Sequence, residues 1–193
     1  MDHYIEIIIL PDPEFKTPML MSALFNKLHR GLVSLQADCI GVSFPNYQPK
    51  GSKVHLGNTL RLHGKVESLN GVMETNWLKG MNDHIELKPI SPIPKKHELI
   101  TVKRVQCKSN VERLRARRMR RLGETREQVK VEITDSVEQK LSFPYVNIKS
   151  ASTKQQFKFF IRQELVNESE NDKPTDGKFN CYAMSSGVTL PYF

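Results

Sequence analysis

Cysteine is scarce in this chain. Only three occur (Cys39, Cys107, Cys181), odd in number and far apart. That excludes a disulfide framework and suits a reducing, cytoplasmic setting. No CxxC pair exists, and the six histidines (His3, His29, His55, His63, His84, His97) lack metal-ligand spacing. No metal site is therefore expected. A Walker loop, a GxGxxG turn and internal repeats are also missing, so no cofactor is expected. No apolar run approaches the length of a membrane span, so no membrane association is expected. The first residues read as a strand and carry acids at Asp2 and Glu6, which is not the pattern of a signal peptide.

What the sequence does have is positive charge in one place. From Lys103 to Arg121 there are nine Lys and Arg and a single acid, Glu112, a net of +8 and equal to the net charge of the whole chain. Of 29 basic and 21 acidic residues overall, 20 of each sign lie outside this stretch and cancel. Charge concentrated on a neutral body is the electrostatic footprint of a nucleic-acid reader. A solvated helix face normally mixes signs, with Glu four residues before Lys. Here six arginines face one acid.

The stretch also reads as a helix. Ser109-Asn110-Val111-Glu112 fits a capping box, residues 110–122 hold no Pro or Gly, and Gly123 follows as a stop. At about 100° per residue, Arg113, Arg117, Arg120 and Arg121 share roughly one quadrant, while Arg115 and Arg118 point elsewhere. No clean apolar stripe remains, so the helix should project. Guanidinium forks onto phosphate and guanine edges. A B-form major groove admits a helix, whereas A-form RNA needs a hairpin end or a distortion. The charge alone does not choose between DNA and RNA. A DNA-binding regulator is disfavoured, because no dimerising heptad or helix-turn-helix accompanies the arginines. An ordinary RNA-recognition domain is disfavoured because Thr59–Val66 lacks paired stacking aromatics.

Periodicity predicts an α+β protein. Residues 1–90 read β-α-β-β-α-β, the order of a ferredoxin-like domain: strand His3–Leu10; helix 18–35 with Thr17 as its cap; strands Ile40–Phe44 and Thr59–Val66; helix 67–80; strand His84–Leu87. Prolines 89, 92 and 94 with Lys95-Lys96 suggest a linker over 91–98. Residues 99–193 read as a small, mainly antiparallel domain carrying the arginine helix. Its expected strands are Leu99–Gln106, Val129–Ile133, Tyr145–Ile148 and Gln156–Glu164. An exposed loop is expected over 166–177, and a last hairpin in the tail.

Little of this is chemistry by itself. His29 lies on the first helix between Phe25 and Val33, beside the apolar face. A helical histidine in that position is more often structural. Ser150, Ser152 and Tyr182 are unremarkable by spacing.

The words MDHYIEI, PDPEF, LFNKLHRGLV, IGVSFP, RVQCKSNVERLRARRMRRL, SASTKQQFKFFIR, FNCYAMSSG and the ending LPYF carry more. Together, collinear from Met1 to Phe193, they resemble the CRISPR repeat-processing endoribonuclease of the I-F subtype. The resemblance implies a metal-independent RNase that cuts precursor CRISPR RNA at the 3′ base of each repeat hairpin. It implies that the enzyme keeps the mature guide RNA and joins other CRISPR-associated subunits in a surveillance complex, being a monomer outside it. The family's catalytic histidine falls on His29, its ribose-positioning serine on Ser150 and its active-site tyrosine on Tyr182. Its base-reading pair falls on Arg104 and Gln106, and its stacking aromatic on Phe157. Its groove helix supplies Arg117, Arg120 and Arg121, with Arg113 and Arg115 as phosphate contacts. Ala116 and Leu122 stand where the family pattern has arginine and histidine, and Arg118 where it has an apolar residue. The alternative from another class is a non-catalytic subunit that binds the RNA hairpin without cutting it.

Overall fold

A computed structural model describes residues 1–51, 53–106, 111–133, 141–150, 155–166, 177–185 and 187–193. The expected Ser109 cap, and most of the expected 166–177 loop, lie outside the described residues. The chain is α+β with two antiparallel sheets.

β1 (His3–Ile9) alternates, sending Ile5, Ile7 and Ile9 into the core. Pro11 and Pro13 end it. Between them the Asp12 carboxylate accepts from the N–H of Glu14 (2.8 Å) and Phe15 (2.7 Å) and meets His84 Nδ1 at 2.7 Å. α1 (Thr17–Leu35) buries Leu20, Met21, Leu24, Phe25, Leu28 and Leu32 along one face. Its cap is Lys16, with no side-chain bond, and Thr17 is already helical with Pro18 in the first turn. The expected Thr17 cap is thus one residue late. Pro18 brings a preset helical φ to the first turn, where N–H groups have no partner within the helix.

β2 (Gly41–Ser43), β3 (Thr59–Gly64), α2 (Val66–Glu74) and β4 (Ile85–Leu87) complete the first half. The order across the sheet is β2-β3-β1-β4. Ile7 lies opposite Leu60 on one side and Leu87 on the other. α2 stops well short of the expected residue 80. Asn76 turns left-handed (φ 51°), which a short amide side chain tolerates, and Trp77, Leu78 and Met81 reach the core from turns. Part of the expected linker is ordered against the sheet: β5 (Ser91–Pro92) pairs with the start of β1.

The second sheet comes from β6 (Glu98–Val105), β7 (Tyr145–Lys149), β8 (Gln156–Leu165) and β9 (Leu190–Tyr192), in the order β7-β8-β6-β9. Among the described residues of the tail the strand pairing is divided. An isolated bridge joins Phe179 to Ser185, and β9 pairs with β6, Ile100 opposite Leu190. One core runs through both sheets. It is tight where the tail crosses β2: a Cβ at Gly41 would lie 2.4 Å from Leu190 Cδ2. Gln163 fastens β8 to the end of β2, its amide accepting from Phe44 N–H and donating to Phe44 C=O, both at 2.9 Å.

The chain divides into two compact units, Met1–Arg104 with Phe143–Phe193, and Val105–Ser142. The second unit holds α3 (Val111–Leu122) and α4 (Arg126–Glu132). Gly123, at φ 67°, ends α3 and bonds back to Met119 C=O at 2.9 Å. Residues 129–133, expected as a strand, belong to α4 up to Glu132. Thr125 and Gln128 form a full capping box, which sets the helix despite its two valines.

β3 carries polar groups into the interior. Arg61 and His63 alternate with Leu60 and Leu62 and so face the other way. Arg61 pairs with Glu6 (2.7 Å) and lies 3.9 Å from the Phe193 ring. His63 is fully buried, with Nε2 2.8 Å from Ser43 Oγ and no partner for Nδ1 among the described residues. Burial first, then the charges of Arg61 and His97, push its pKa down to about 3.

Two outcomes follow. An unfolded histidine takes up a proton below about 6.5 while folded His63 stays neutral, so stability falls as pH drops. Between pH 7 and 5 this residue should remove about 2 kcal/mol. Denaturant unfolding of wild type and His63→Gln at both pH values checks it, and the variant should lose less. Thr125→Ala should cost α4 about 1 kcal/mol. Amide hydrogen exchange should quicken across α4 and stay unchanged in β1 and β3.

Candidate functional site

The apolar stripe of α1 decides where His29 goes. It follows Phe25 by one turn and sits half-buried at the rim of the core. Its Nδ1 lies 2.7 Å from the backbone carbonyl of Cys181. A carbonyl only accepts, so Nδ1 carries the proton and donates it. That leaves Nε2 with a lone pair. In this tautomer the ring is oriented and can take a proton on Nε2.

Tyr182 lies flat on the imidazole, ring centroids 4.0 Å apart and planes 11° apart. Behind it, Phe159 is 4.6 Å away and Phe25 6.4 Å away. A local turn presents Tyr182: the Asn180 carboxamide oxygen accepts from the N–H of Tyr182 (2.9 Å) and of Met184 (3.2 Å). The turn is tied down on both sides, Phe179 N–H to Asp38 C=O at 2.7 Å and Val42 N–H to Ala183 C=O at 2.8 Å. Burial pushes the Tyr182 phenol up and Cys181 beside it adds to the rise, against the pull of Arg104. The phenol therefore stays protonated.

Ser150 follows β7 directly, its N–H bonded at 2.9 Å to the C=O of Gln155, the residue before β8. β7 is fastened to α1 by two side chains that spacing alone did not single out. Ser22 Oγ accepts from Asn147 N–H at 3.1 Å. Asn26 Nδ2 donates to Asn147 C=O at 2.7 Å, and its Oδ1 accepts from Lys149 N–H at 3.2 Å. A signal was present: Ser22, Asn26 and His29 are polar at i, i+4 and i+7, one face of α1.

Arg104 joins the same unit. Its guanidinium lies 4.7 Å from the Phe159 ring centre and 5.5 Å from that of Phe157, a cation–π arrangement on an exposed strand end. Gln106, also exposed, lies just beyond β6. The unit thus holds His29, Tyr182, Ser150, Arg104 and Phe157, with His29 and Tyr182 in direct contact.

In the α3–α4 unit the arginines divide. Arg117, Arg120 and Arg121 are exposed. Arg115 is 4% exposed, and its guanidinium donates to Ile133 C=O through Nε (3.0 Å) and a terminal nitrogen (2.6 Å). That burial conflicts with the expected phosphate contact: Arg115 fastens the end of α4. Arg118 pairs with Glu124 at 2.8 Å and with Glu132. The Glu124 hydrogen bond, with the negative charges of Glu124 and Glu132, pushes its pKa further up. The Arg113 side chain lies outside the described residues.

Among known families, the model described as "CRISPR-associated protein (Cas_Csy4)" matches residues 4–193. Two relatives named "CRISPR-associated endonuclease Cas6/Csy4" align over the whole of both chains. One, from Pseudomonas aeruginosa (strain UCBPP-PA14), is 40% identical over 193 residues. The other, from Escherichia coli (strain UTI89 / UPEC), is 41% identical over 194. Among solved structures, "An RAMP protein binding different RNA substrates" aligns over both chains at 11% identity with a TM-score of 0.37. With a family model that matches nearly its full length and relatives at this identity, the chain belongs to the Cas_Csy4 family of CRISPR-associated proteins.

Proposed function

We propose that this protein is a metal-independent endoribonuclease that binds the stem-loop of CRISPR repeat RNA, cuts at its 3′ base and keeps the mature guide RNA. The observation that carries the reading is the His29 imidazole, held through Nδ1 by Cys181 C=O with Nε2 left to accept. His29 Nε2 takes the proton of a ribose 2′-OH. The 2′-oxygen attacks the adjacent phosphorus in line, the new O2′–P bond forms and the P–O5′ bond breaks. The departing 5′-oxygen takes up a proton. The products are a 2′,3′-cyclic phosphate and a 5′-OH. General base action contributes about 10²–10⁴-fold. Ser150 holds the 2′-OH, and placing it in line contributes further. Tyr182 keeps the imidazole plane fixed by stacking and, staying protonated, adds no charge beside the scissile phosphate.

Recognition is divided. Arg104 and Gln106 read bases low on the stem, and Phe157 stacks on the terminal base pair. Arg117, Arg120 and Arg121 grip phosphates, with Arg113 as a further contact. Arg115 and Arg118, tied to α4, serve the helix pair. The order β-α-β-β-α-β and the sheet order β2-β3-β1-β4 support a ferredoxin-like fold for residues 1–90. A recognition part at 99–193 joined through 91–98, residence in the cytoplasm, a monomeric state when alone and docking with other CRISPR-associated subunits belong to the same proposal. No helix among the described residues is long and apolar enough to cross a membrane.

Cutting of the host repeat RNA should persist in EDTA and stop when the nucleotide before the scissile phosphate is 2′-deoxy. His29→Ala should slow it by about 10²–10⁴-fold while hairpin affinity holds within about twofold. A gel time course and a binding titration read both. If wild type binds but never cuts, the protein is the non-catalytic hairpin-binding subunit instead.

Changing Arg117, Arg120 and Arg121 together to Ala should weaken hairpin binding and flatten its salt dependence by about two to three units. Affinity measured across a salt series checks it. Parallel lines for wild type and variant would remove α3 from the RNA interface.

A further inference from the structure

Among the described residues β7 ends the second sheet, with β8 on one side only. Its other edge offers backbone groups that need partners. α1 provides them from side chains. Asn26 spans Asn147 C=O (2.7 Å) and Lys149 N–H (3.2 Å), as a neighbouring strand would, and Ser22 takes Asn147 N–H at 3.1 Å. The clamp is itself braced on the helix: Asn26 Nδ2 also reaches Ser22 C=O at 2.7 Å, and Ser22 Oγ donates to Pro18 C=O at 2.7 Å.

Its place matters more than its strength. His29 stands three residues beyond Asn26 on α1, and Ser150 one residue beyond Lys149. The two groups assigned to the 2′-OH therefore leave the clamp in parallel, each within a few residues of it. Any slip of α1 along β7 changes the spacing of imidazole and hydroxyl directly. The seam's apolar contacts do not fix that register. Phe25 of α1 and Val146 and Ile148 of β7 are buried in one core whose packing is non-directional, whereas an amide bonding one C=O and one N–H on the same strand permits a single alignment.

We infer that Asn26 is a positioning residue for cleavage, setting the distance between His29 and Ser150 by locking α1 to the edge of β7. The inference rests on the assignment of those two residues above. Asn26 touches no substrate and moves no proton. Its effect reaches the chemistry only through the geometry of the pair, where a misplacement of about 1 Å costs about 10²-fold.

Single-turnover cleavage at saturating protein, hairpin affinity and thermal melting are measured on Asn26→Ala, Ser22→Ala, His29→Ala, Ser150→Ala and the double variant Asn26→Ala/His29→Ala. Asn26→Ala should cut about 10- to 100-fold more slowly with affinity unchanged within about twofold. In the His29→Ala background the same change should have no further effect, because the spacing it sets no longer has an imidazole at one end. Ser22→Ala removes a single oxygen and keeps the fold. It should slow cutting about 2- to 5-fold by the same route, and it carries the test if Asn26→Ala melts below the assay temperature. Wild-type cutting by both clamp variants would overturn the inference, as would rate and affinity falling together, or losses that multiply in the double variant. Should His29→Ala and Ser150→Ala both cut like wild type, the catalytic assignment fails, and this inference with it. Should those two fail to cut while the clamp variants cut normally, only the inference falls.

Discussion

An unpaired sheet edge leaves backbone groups without strand partners, and in this protein side chains supply them. Ser22 and Asn26 close the free side of β7. Gln163 does the same for Phe44 beyond the end of β2, with both halves of its amide engaged. These bonds are worth little net in free energy, roughly 1 kcal/mol each, because water would otherwise satisfy the same groups. Their consequence is geometric. An apolar stripe lets a helix slide along a sheet, and an amide bonded to two backbone groups does not. The core holds α1 against the second sheet, and the clamp fixes its register.

The candidate active site inherits that register. His29 comes from α1, Ser150 from the end of β7, and Tyr182 from a turn that Asn180 shapes and the 38–42 segment holds. His29 and Tyr182 meet directly, and all three come from elements tied by directional bonds. The imidazole gains its tautomer from the tail's own backbone, so Nε2 is left to accept a proton. Phe25 and Phe159 behind Tyr182 keep the stack dry on its inner side.

The α3–α4 unit shows that charge counting has a limit. Arginine serves two purposes within one turn of helix. Arg115 and Arg118 turn toward α4 and satisfy a carbonyl and two carboxylates. Arg117, Arg120 and Arg121 stay exposed. The field of the stretch is therefore weaker than its formal charge, and its usable part lies on one side. A guanidinium can do either job, since its five N–H groups match a helix-end carbonyl as well as a phosphate.

Much of the fold was legible. The alternation in His3–Ile9, the apolar spacing of α1 and the Gly123 stop all report contacts within one turn or one strand pair, which local sequence encodes. Where the reading erred, two local signals competed. Val129 and Val131 suggested a strand, while Thr125 and Gln128 spelled a capping box, and the capping box prevailed because it satisfies backbone groups at the helix start. By itself the sequence determined the order of elements over residues 1–90, the concentration of arginine and the place of His29 beside the apolar face of α1. Only the tertiary structure decided which nitrogen of His29 carries a proton, which arginines remain exposed and that Asn26 grips β7. Those depend on partners such as Cys181, 152 residues from His29, and Asn147, 121 residues from Asn26. No periodicity reports a hydrogen bond across that distance, because its geometry exists only once the core has closed.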